Sequence, residues 1–347
     1  MAPIRTVVSG LGRIGWQFHL PNLQRHEGFE LVGVIDPLAE RLQEAADEYG
    51  GVAGYADLAT CLAAQKPQLL VLTAPTPFHM EQCLAAFASG CDVFCEKPLA
   101  ADLAQADRMI AAMRRQKRKL MVYQPHRATT ETVSLRQVIG RGLIGPVYMI
   151  KSARSAFTRR NDWQAFSANG GGMLNNYGAH IIDQWLYVCD SSAAHISAKL
   201  RTVASLGDAD DVVKAVIETE SGVLVDIDIN MAAAHSMTPC QVLGPYGSIV
   251  LDTKEKAWQV RYFDPAELAA LEVQEGLAAS NRRYGSGEEI PWREETVRIA
   301  DFAPVDFYQK VHGYFGGDEA PFVPIAQTRE VMRVLETCRA GGLKAKA

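Results

Sequence analysis

No run of the sequence reaches the ~20 consecutive apolar residues that a membrane-spanning helix needs, so no transmembrane segment is expected. Basic charge is not in excess. Lys and Arg total 35 against 40 Asp and Glu, a formal charge of −5, so nothing pulls the chain globally toward a phosphate backbone or an anionic bilayer. Neither nucleic acid nor membrane is an expected partner. The seven Cys form an odd set without a C-x-x-C pair, which fits reduced thiols rather than a disulfide framework or a structural zinc site. No repeat or low-complexity tract is visible, and 48% hydrophobic with 22% charged residues excludes wholesale disorder. Met1 leads directly into an apolar strand pattern at 4–8 without a signal-type apolar core. A cytoplasmic location is expected.

What is present is enough chain, 347 residues, for about two domains. Residues 1–124 alternate β-rich apolar runs at 4–9, 30–35, 68–73, 91–95 and 119–123 with helical patterns at 13–25, 80–89 and 103–115. That alternation predicts parallel βαβ units, a doubly wound α/β sheet covered on both faces. Residues 125–305 read as a second, α+β domain for substrate and assembly. It has a helix near 130–141, a strand near 147–155, a helix at about 173–187, and two antiparallel hairpins, 211–218 with 223–229 and 239–243 with 248–252. Val212, Val216, Val223, Val225 and Ile227 are expected to leave the open face of its sheet apolar, suited to subunit contact. The stretch 272–302 reads mostly as loop. Segment 306–347 supplies closing helices at 307–315 and 325–338, expected to pack back near the domain junction. The basic run Arg114, Arg115, Lys117, Arg118 and Lys119 reads as a solvated helix end.

Gly10-Leu11-Gly12-Arg13-Ile14-Gly15 follows the first strand and opens the first helix. In that context the first Gly permits a tight turn, the second lets backbone approach a pyrophosphate, and the third permits close helix–strand packing at a helix N-terminus. Asp36 closes the second strand, where a carboxylate would bond a ribose 2′-OH and repel a 2′-phosphate. With Pro37 next, NAD is expected over NADP. Thr73, Pro75, Thr76 and His79 mark the carboxyl edge of the sheet, where open α/β folds bind ligands. Cys95-Glu96-Lys97-Pro98 ends the next strand and places Lys97 beside the expected nicotinamide. Pro98 suits the first turn of the helix that follows. A lone Lys at a strand end also fits a surface salt bridge.

Within Gly170-Gly171-Gly172-Met173-Leu174-Asn175-Asn176-Tyr177-Gly178-Ala179-His180-Ile181-Ile182-Asp183, a helix from Met173 puts Asn176 and His180 at i, i+4 with Asp183 a turn later, so all three are expected in one cleft. His180 and Asp183 without a third ligand do not make a metal site. Arg159, Asp162 and Trp163, in a polar loop with Gln164, suit sugar hydroxyls and an apolar sugar face. Gln124, His126 and Arg127 at the domain junction are further candidates, Gln124 near the cofactor and Arg127 structural.

Taken in order, 10–15, Asp36, Thr76 with His79, Glu96-Lys97-Pro98, 170–183 and the 244–252 hairpin resemble the glucose-fructose oxidoreductase, inositol dehydrogenase and MocA family of nicotinamide-dependent oxidoreductases. The resemblance implies a Rossmann domain joined to an open-faced, mostly antiparallel sheet domain. It implies NAD(P) on Gly10, Gly12, Arg13, Ile14, Asp36, Thr73, Pro75, Thr76, His79, Glu96, Lys97 and Gln124, and homodimers or homotetramers through the open sheets. A sugar, cyclitol or glycoside would lie between the domains, against Lys97, Arg159, Asp162, Trp163, Asn176, Tyr177 and His180. It further implies that Lys97 and His180 assist removal of a substrate hydroxyl proton while the carbon-bound hydrogen leaves as hydride. Asn176 stands where many sugar dehydrogenases of the family carry Asp, and an amide orients a hydroxyl without accepting its proton. The expectation is therefore His180 as base, Lys97 beside the developing alkoxide and Asn176 holding the hydroxyl. The alternative is a redox-neutral glycoside-cleaving enzyme that uses retained NAD for transient oxidation and elimination. A cofactor-binding regulatory protein is a third reading.

Overall fold

Strands apolar at nearly every position must be covered on both faces, and this condition selects the first layer. The computed structural model describes residues 2–273, 275, 285 and 287–341. Ile4–Ser9 (β1), Phe29–Ile35 (β2), Gly54–Tyr55 (β3), Leu69–Leu72 (β4), Asp92–Cys95 (β5) and Leu120–Val122 (β6) form one all-parallel sheet in the order β3-β2-β1-β4-β5-β6. The strand order reverses between β1 and β4, so a crevice opens at their carboxyl ends.

The helix expected over 13–25 is divided: a π-helical turn, Gly15–His19, leads into Leu20–Arg25 (α1), whose first turn holds Pro21. Proline has no N–H to give to the helical ladder. Ala39–Glu48 (α2), Leu58–Gln65 (α3), His79–Ala88 (α4) and Leu103–Arg115 (α5) complete the layers. Asp102 caps α5 by accepting from the Gln105 N–H at 2.7 Å, so Pro98 lies in an irregular segment before the helix rather than in its first turn. The Lys97–Pro98 peptide is cis.

After Thr130–Gly140 (α6), a second sheet is built from Met149–Ser155 (β7), Ala193–Arg201 (β8), Val212–Thr219 (β9), Leu224–Asn230 (β10), Cys240–Gly244 (β11), Gly247–Asp252 (β12), Ala257–Tyr262 (β13) and Arg293–Arg298 (β14). Its order is β14-β13-β12-β11-β7-β10-β9-β8, antiparallel except for β7 with β10. Ala179–Cys189 (α7) and Ile325–Ala340 (α9) cover one face. Their Ile182, Trp185, Val331 and Leu335 share a core with Val213, Ala215, Ile217, Val225, Ile227 and Ile229. Phe307–Gly316 (α8) packs instead against the first sheet, with Phe307, Tyr308 and Val311 in the core around β1.

The open face is not the apolar surface expected. Val223, Val225 and Ile227 are buried beneath the helices, while alternate positions turn outward, Val216 at 39% exposure among them. There Lys214 Nζ lies 2.5 Å from Asp226 Oδ1 and 3.5 Å from Asp228 Oδ2. Strand β14 falls in the stretch expected to be loop. It is an edge strand with exposed charges such as Glu294 and Arg298, and with Glu295 paired to Arg141 at 2.6 Å, and so lacks apolar alternation. Residues 274, 276–284 and 286 of that stretch, and 342–347 of the closing segment, lie outside the described residues. All seven cysteines are free thiols, six of them buried. Among the described residues no helix is long and apolar enough to cross a membrane.

Candidate active site

The glycine loop leaves β1 with Gly10 at φ +99°, where a Cβ would lie 2.6 Å from the Ala74 nitrogen. A Cβ on Gly15 would lie 2.1 Å from the Gly10 oxygen, whereas one on Gly12 would meet nothing within 4 Å. Two of the glycines are therefore dictated by the fold and the middle one faces open space, the cradle a dinucleotide requires. Thr73 Oγ1 holds the loop by donating toward the Gly10 and Ser9 carbonyls, at 2.5 and 2.9 Å. Arg13 is exposed, Ile14 half-buried, Pro75 exposed and Thr76 buried along the same crevice.

Four of the residues expected along the cofactor cleft are buried and hydrogen-bonded within the protein. Asp36 is 2% exposed; it accepts from the Leu11 N–H (2.8 Å), the Leu38 N–H (3.0 Å) and Arg41 (3.2 Å). Its carboxylate braces the glycine loop and carries a cation the sequence reading did not place there. His79 is 1% exposed, with Nε2 2.8 Å from the Ala74 oxygen and Nδ1 3.1 Å from the Pro98 oxygen. It ties two cleft loops together from beneath. Glu96 is buried and pairs with His19 Nε2 at 2.9 Å, while His19 Nδ1 meets the Tyr308 hydroxyl at 2.7 Å. Gln124 is 2% exposed and belongs to His180. Each of these groups already has a partner within the protein, and buried polar groups are held this way.

Lys97 ends the strand layer of the first domain, and its Nζ donates 2.9 Å across the junction to the Asn176 carbonyl oxygen. Asn176 lies in a π-helical turn, Leu174–Gly178, that runs into α7, and His180 follows in the first turn of α7. Burial lowers the Lys97 ammonium below the ordinary lysine range; the Arg13 charge adds to this and Glu96 opposes it. Burial, then the charges of Lys97 and His126, hold the His180 imidazole well below the ordinary histidine range. The His126 ring stacks on it, centroids 4.5 Å apart and planes 14° apart. His180 Nδ1 lies 3.2 Å from Gln124 Oε1, and Gln124 Nε2 donates to the Ala179 oxygen at 3.4 Å. The amide is thereby oriented with its oxygen toward the ring, so Nδ1 carries the proton and Nε2 keeps its lone pair.

Asp183 does not join this cleft. It is wholly buried and takes Arg127 in a two-point ion pair, 2.6 and 2.7 Å. One further helical turn carries it inward, because α7 is buried on that side. The loop at 159–164 also divides differently from expectation. Arg160 and Gln164 line a cavity beside Asn176 and Tyr177, while Arg159, Asp162 and Trp163 are exposed and outside that lining. Asn176 Nδ2 reaches Gln164 Oε1 at 3.4 Å. Sequence reasoning missed Arg154, which also lines the cavity. The signal was its parity on β7 with the buried Ile150 and Ser152, which carries an exposed Arg154 to the end of the same face. Among the described residues no three His, Cys, Asp or Glu side chains gather as metal ligands.

Comparisons follow the same division. The family model described as "Oxidoreductase family, NAD-binding Rossmann fold" matches residues 4–124, and the "GFO/IDH/MocA C-terminal domain" matches residues 132–250. A D-glucoside 3-dehydrogenase of Escherichia coli K12 is 30% identical over 59% of this chain, which spans 61% of that protein. An inositol 2-dehydrogenase of Streptomyces avermitilis is 28% identical over 81% of this chain and 85% of its own length. A solved NAD-binding protein from Listeria innocua shares the fold, with a TM-score of 0.81 and 23% identity over 97% of this chain and 94% of that one.

Proposed function

The chain belongs to the GFO/IDH/MocA family of NAD-binding oxidoreductases, and from that membership we propose that it transfers a hydride between a nicotinamide and a secondary alcohol or ketone of a sugar, cyclitol or glycoside. The observation that carries the reading is the meeting of Lys97, from the dinucleotide domain, with the Asn176–His180 segment of the other domain.

Gly10, Gly12, Arg13 and Thr73 would hold the dinucleotide, which when bound supplies an acceptor for the carbon-bound hydrogen. The protein's own residues manage the proton. His180 stays neutral because burial and the Lys97 charge penalise its cation, so Nε2 is free to take a proton from a substrate hydroxyl. Gln124 holds that tautomer. The Lys97 ammonium has three donors; one is spent on the Asn176 oxygen, which leaves the others for a developing alkoxide. The side-chain amides of Asn176 and Gln164 orient hydroxyls without competing for the proton.

Assembly as a homo-oligomer through the outer face of the eight-stranded sheet belongs to the same proposal. It is supported by that face carrying no helix layer among the described residues, and Lys214, Asp226 and Asp228 would make such a contact polar. A thiol-reducing, cytoplasmic setting is supported by the seven unpaired cysteines.

The test is a panel of sugars, cyclitols and glycosides incubated with the purified protein and NAD, reading both nicotinamide absorbance and product mass. Steady reduced-nicotinamide formation with an oxidised product of the substrate is expected. Aglycone release without net reduction would replace this reading with the redox-neutral one.

A further inference from the structure

The inner face of the second sheet runs past its helical cover at the carboxyl ends of β7 and β10. Ile150 and Ser152 are buried under the helices, and the next residue of the same parity, Arg154, reaches beyond them. There it lines a cavity of about 190 Å³ whose floor includes Met231 and whose walls include Arg160, Gln164, Tyr177 and Ser205. That volume is far above the ~10–15 Å³ a single water needs.

The cavity presents donors. Arg154 has no carboxylate in ion-pair range among the described residues; its guanidinium lies over the Tyr177 ring at 4.8 Å and gives one long bond, 3.3 Å, to the Tyr177 hydroxyl. Arg160 Nη1 serves Asp162 and Gln164, but its Nε is buried without a partner, as is the Ser205 hydroxyl on a residue 5% exposed. The two carboxylates in the lining are already committed. Asp211 accepts from the Val203, Ala204 and Ser205 N–H groups at 2.8, 2.6 and 2.6 Å. Asp210 accepts from the Leu174 N–H at 2.8 Å and lies in the field of Arg339. A guest therefore meets an exposed guanidinium without an ion-pair partner and two unpartnered donors, while the Asp210 and Asp211 oxygens are turned to backbone N–H groups, a donor set suited to an anionic oxygen group.

The cavity adjoins the reactive cleft. Gln164 touches Asn176, whose carbonyl takes Lys97, and the Arg154 charge reaches His126 on the stacked imidazole pair. We propose that this cavity is an anion subsite with Arg154 as the counter-ion, so that the substrate is a sugar bearing a carboxylate or phosphate away from the oxidised carbon. The inference rests on the oxidoreductase reading for the meaning of "substrate", but not for the binding itself.

Binding to the NAD-loaded protein should be measured calorimetrically for D-glucuronate, D-glucose 6-phosphate and D-glucose, on the native protein, Arg154→Met and Arg154→Lys. At least one acidic sugar is expected to bind roughly 10- to 100-fold tighter than glucose. Arg154→Met is expected to bring the two within about threefold, while Arg154→Lys keeps part of the preference. A preference for glucuronate identifies a carboxylate guest, and one for the 6-phosphate a phosphate guest. Equal affinities, no binding of either acidic sugar, or a preference untouched in Arg154→Met overturns the proposal. Reduced-nicotinamide formation in the same samples separates the two readings. Arg154-dependent binding without turnover of any panel member upholds the subsite and defeats the oxidoreductase reading. Turnover of neutral sugars indifferent to Arg154 does the reverse.

Discussion

Gln124 Oε1 stands 3.2 Å from His180 Nδ1, with the Gln124 amide nitrogen turned to the Ala179 carbonyl. This pairing makes a buried glutamine responsible for which ring nitrogen of His180 is free. Replacing it by leucine removes the partner of Nδ1 and frees the tautomer. Gln124→Leu is expected to lower kcat roughly 10- to 100-fold while KM for the sugar stays within about twofold. Gln124→Glu would place a carboxylate against the ring and move the acid limb of the pH profile upward. A packing role alone would not move that limb.

The pH profile reports the second relationship, between Lys97 and His180. His180 must be neutral to accept a proton, and burial with the Lys97 charge lowers it well below its ordinary 6.5. Activity in the native protein is therefore expected to persist as pH falls through 6.5. Removing the cation stabilises the imidazolium, so in Lys97→Gln the acid limb should rise toward 6.5 as kcat falls. Steady-state kcat/KM against pH for both proteins checks the sign.

Gly12 and Gly15 should separate cofactor binding from folding. A Cβ at Gly12 has open space, whereas one at Gly15 sits 2.1 Å from the Gly10 oxygen. Gly12→Ala is expected to fold normally and bind NAD about tenfold more weakly. Gly15→Ala should lose about 1–3 kcal/mol of unfolding free energy. Fluorescence titration with NAD and denaturant unfolding measure the two.

Much of the site is readable from the chain because its parts sit on strand ends and helix starts. The glycine loop stands out by its place between the first strand and helix, whereas Lys97 and His180 are singled out only by the ordered set of motifs that resembles the family. What is not legible is where a polar side chain spends its bonds. Asp36, His79, Glu96 and Gln124 stand at the right strand ends, yet each is turned into the protein by partners distant in sequence, such as His19 for Glu96 and Ala179 for Gln124. Asp183 lies one helical turn beyond His180, but its partner Arg127 is 56 residues away. In the second sheet, β14 hides because an edge strand can be charged on exposed positions, and the polar outer face follows from a one-residue parity that hydrophobic content does not reveal.

The Arg127–Asp183 pair gives a stability prediction independent of chemistry. Both side chains are almost wholly buried, 2% and 0% exposed, and Arg127 also bonds Gln327 at 2.5 Å on α9. Asp183→Ala leaves a buried, uncompensated guanidinium and is expected to cost about 3–5 kcal/mol. Combining it as Asp183→Leu with Arg127→Met should recover most of the loss, measured by urea unfolding.

The central claim is that His180 removes the substrate's hydroxyl proton at a site Lys97 shares. The most direct measurement is kcat for His180→Ala with the sugar the native protein oxidises fastest, together with its NAD affinity. A fall of about 10²- to 10⁴-fold in kcat with NAD affinity unchanged is expected. Near-native turnover at every pH where the variant remains folded would contradict the account.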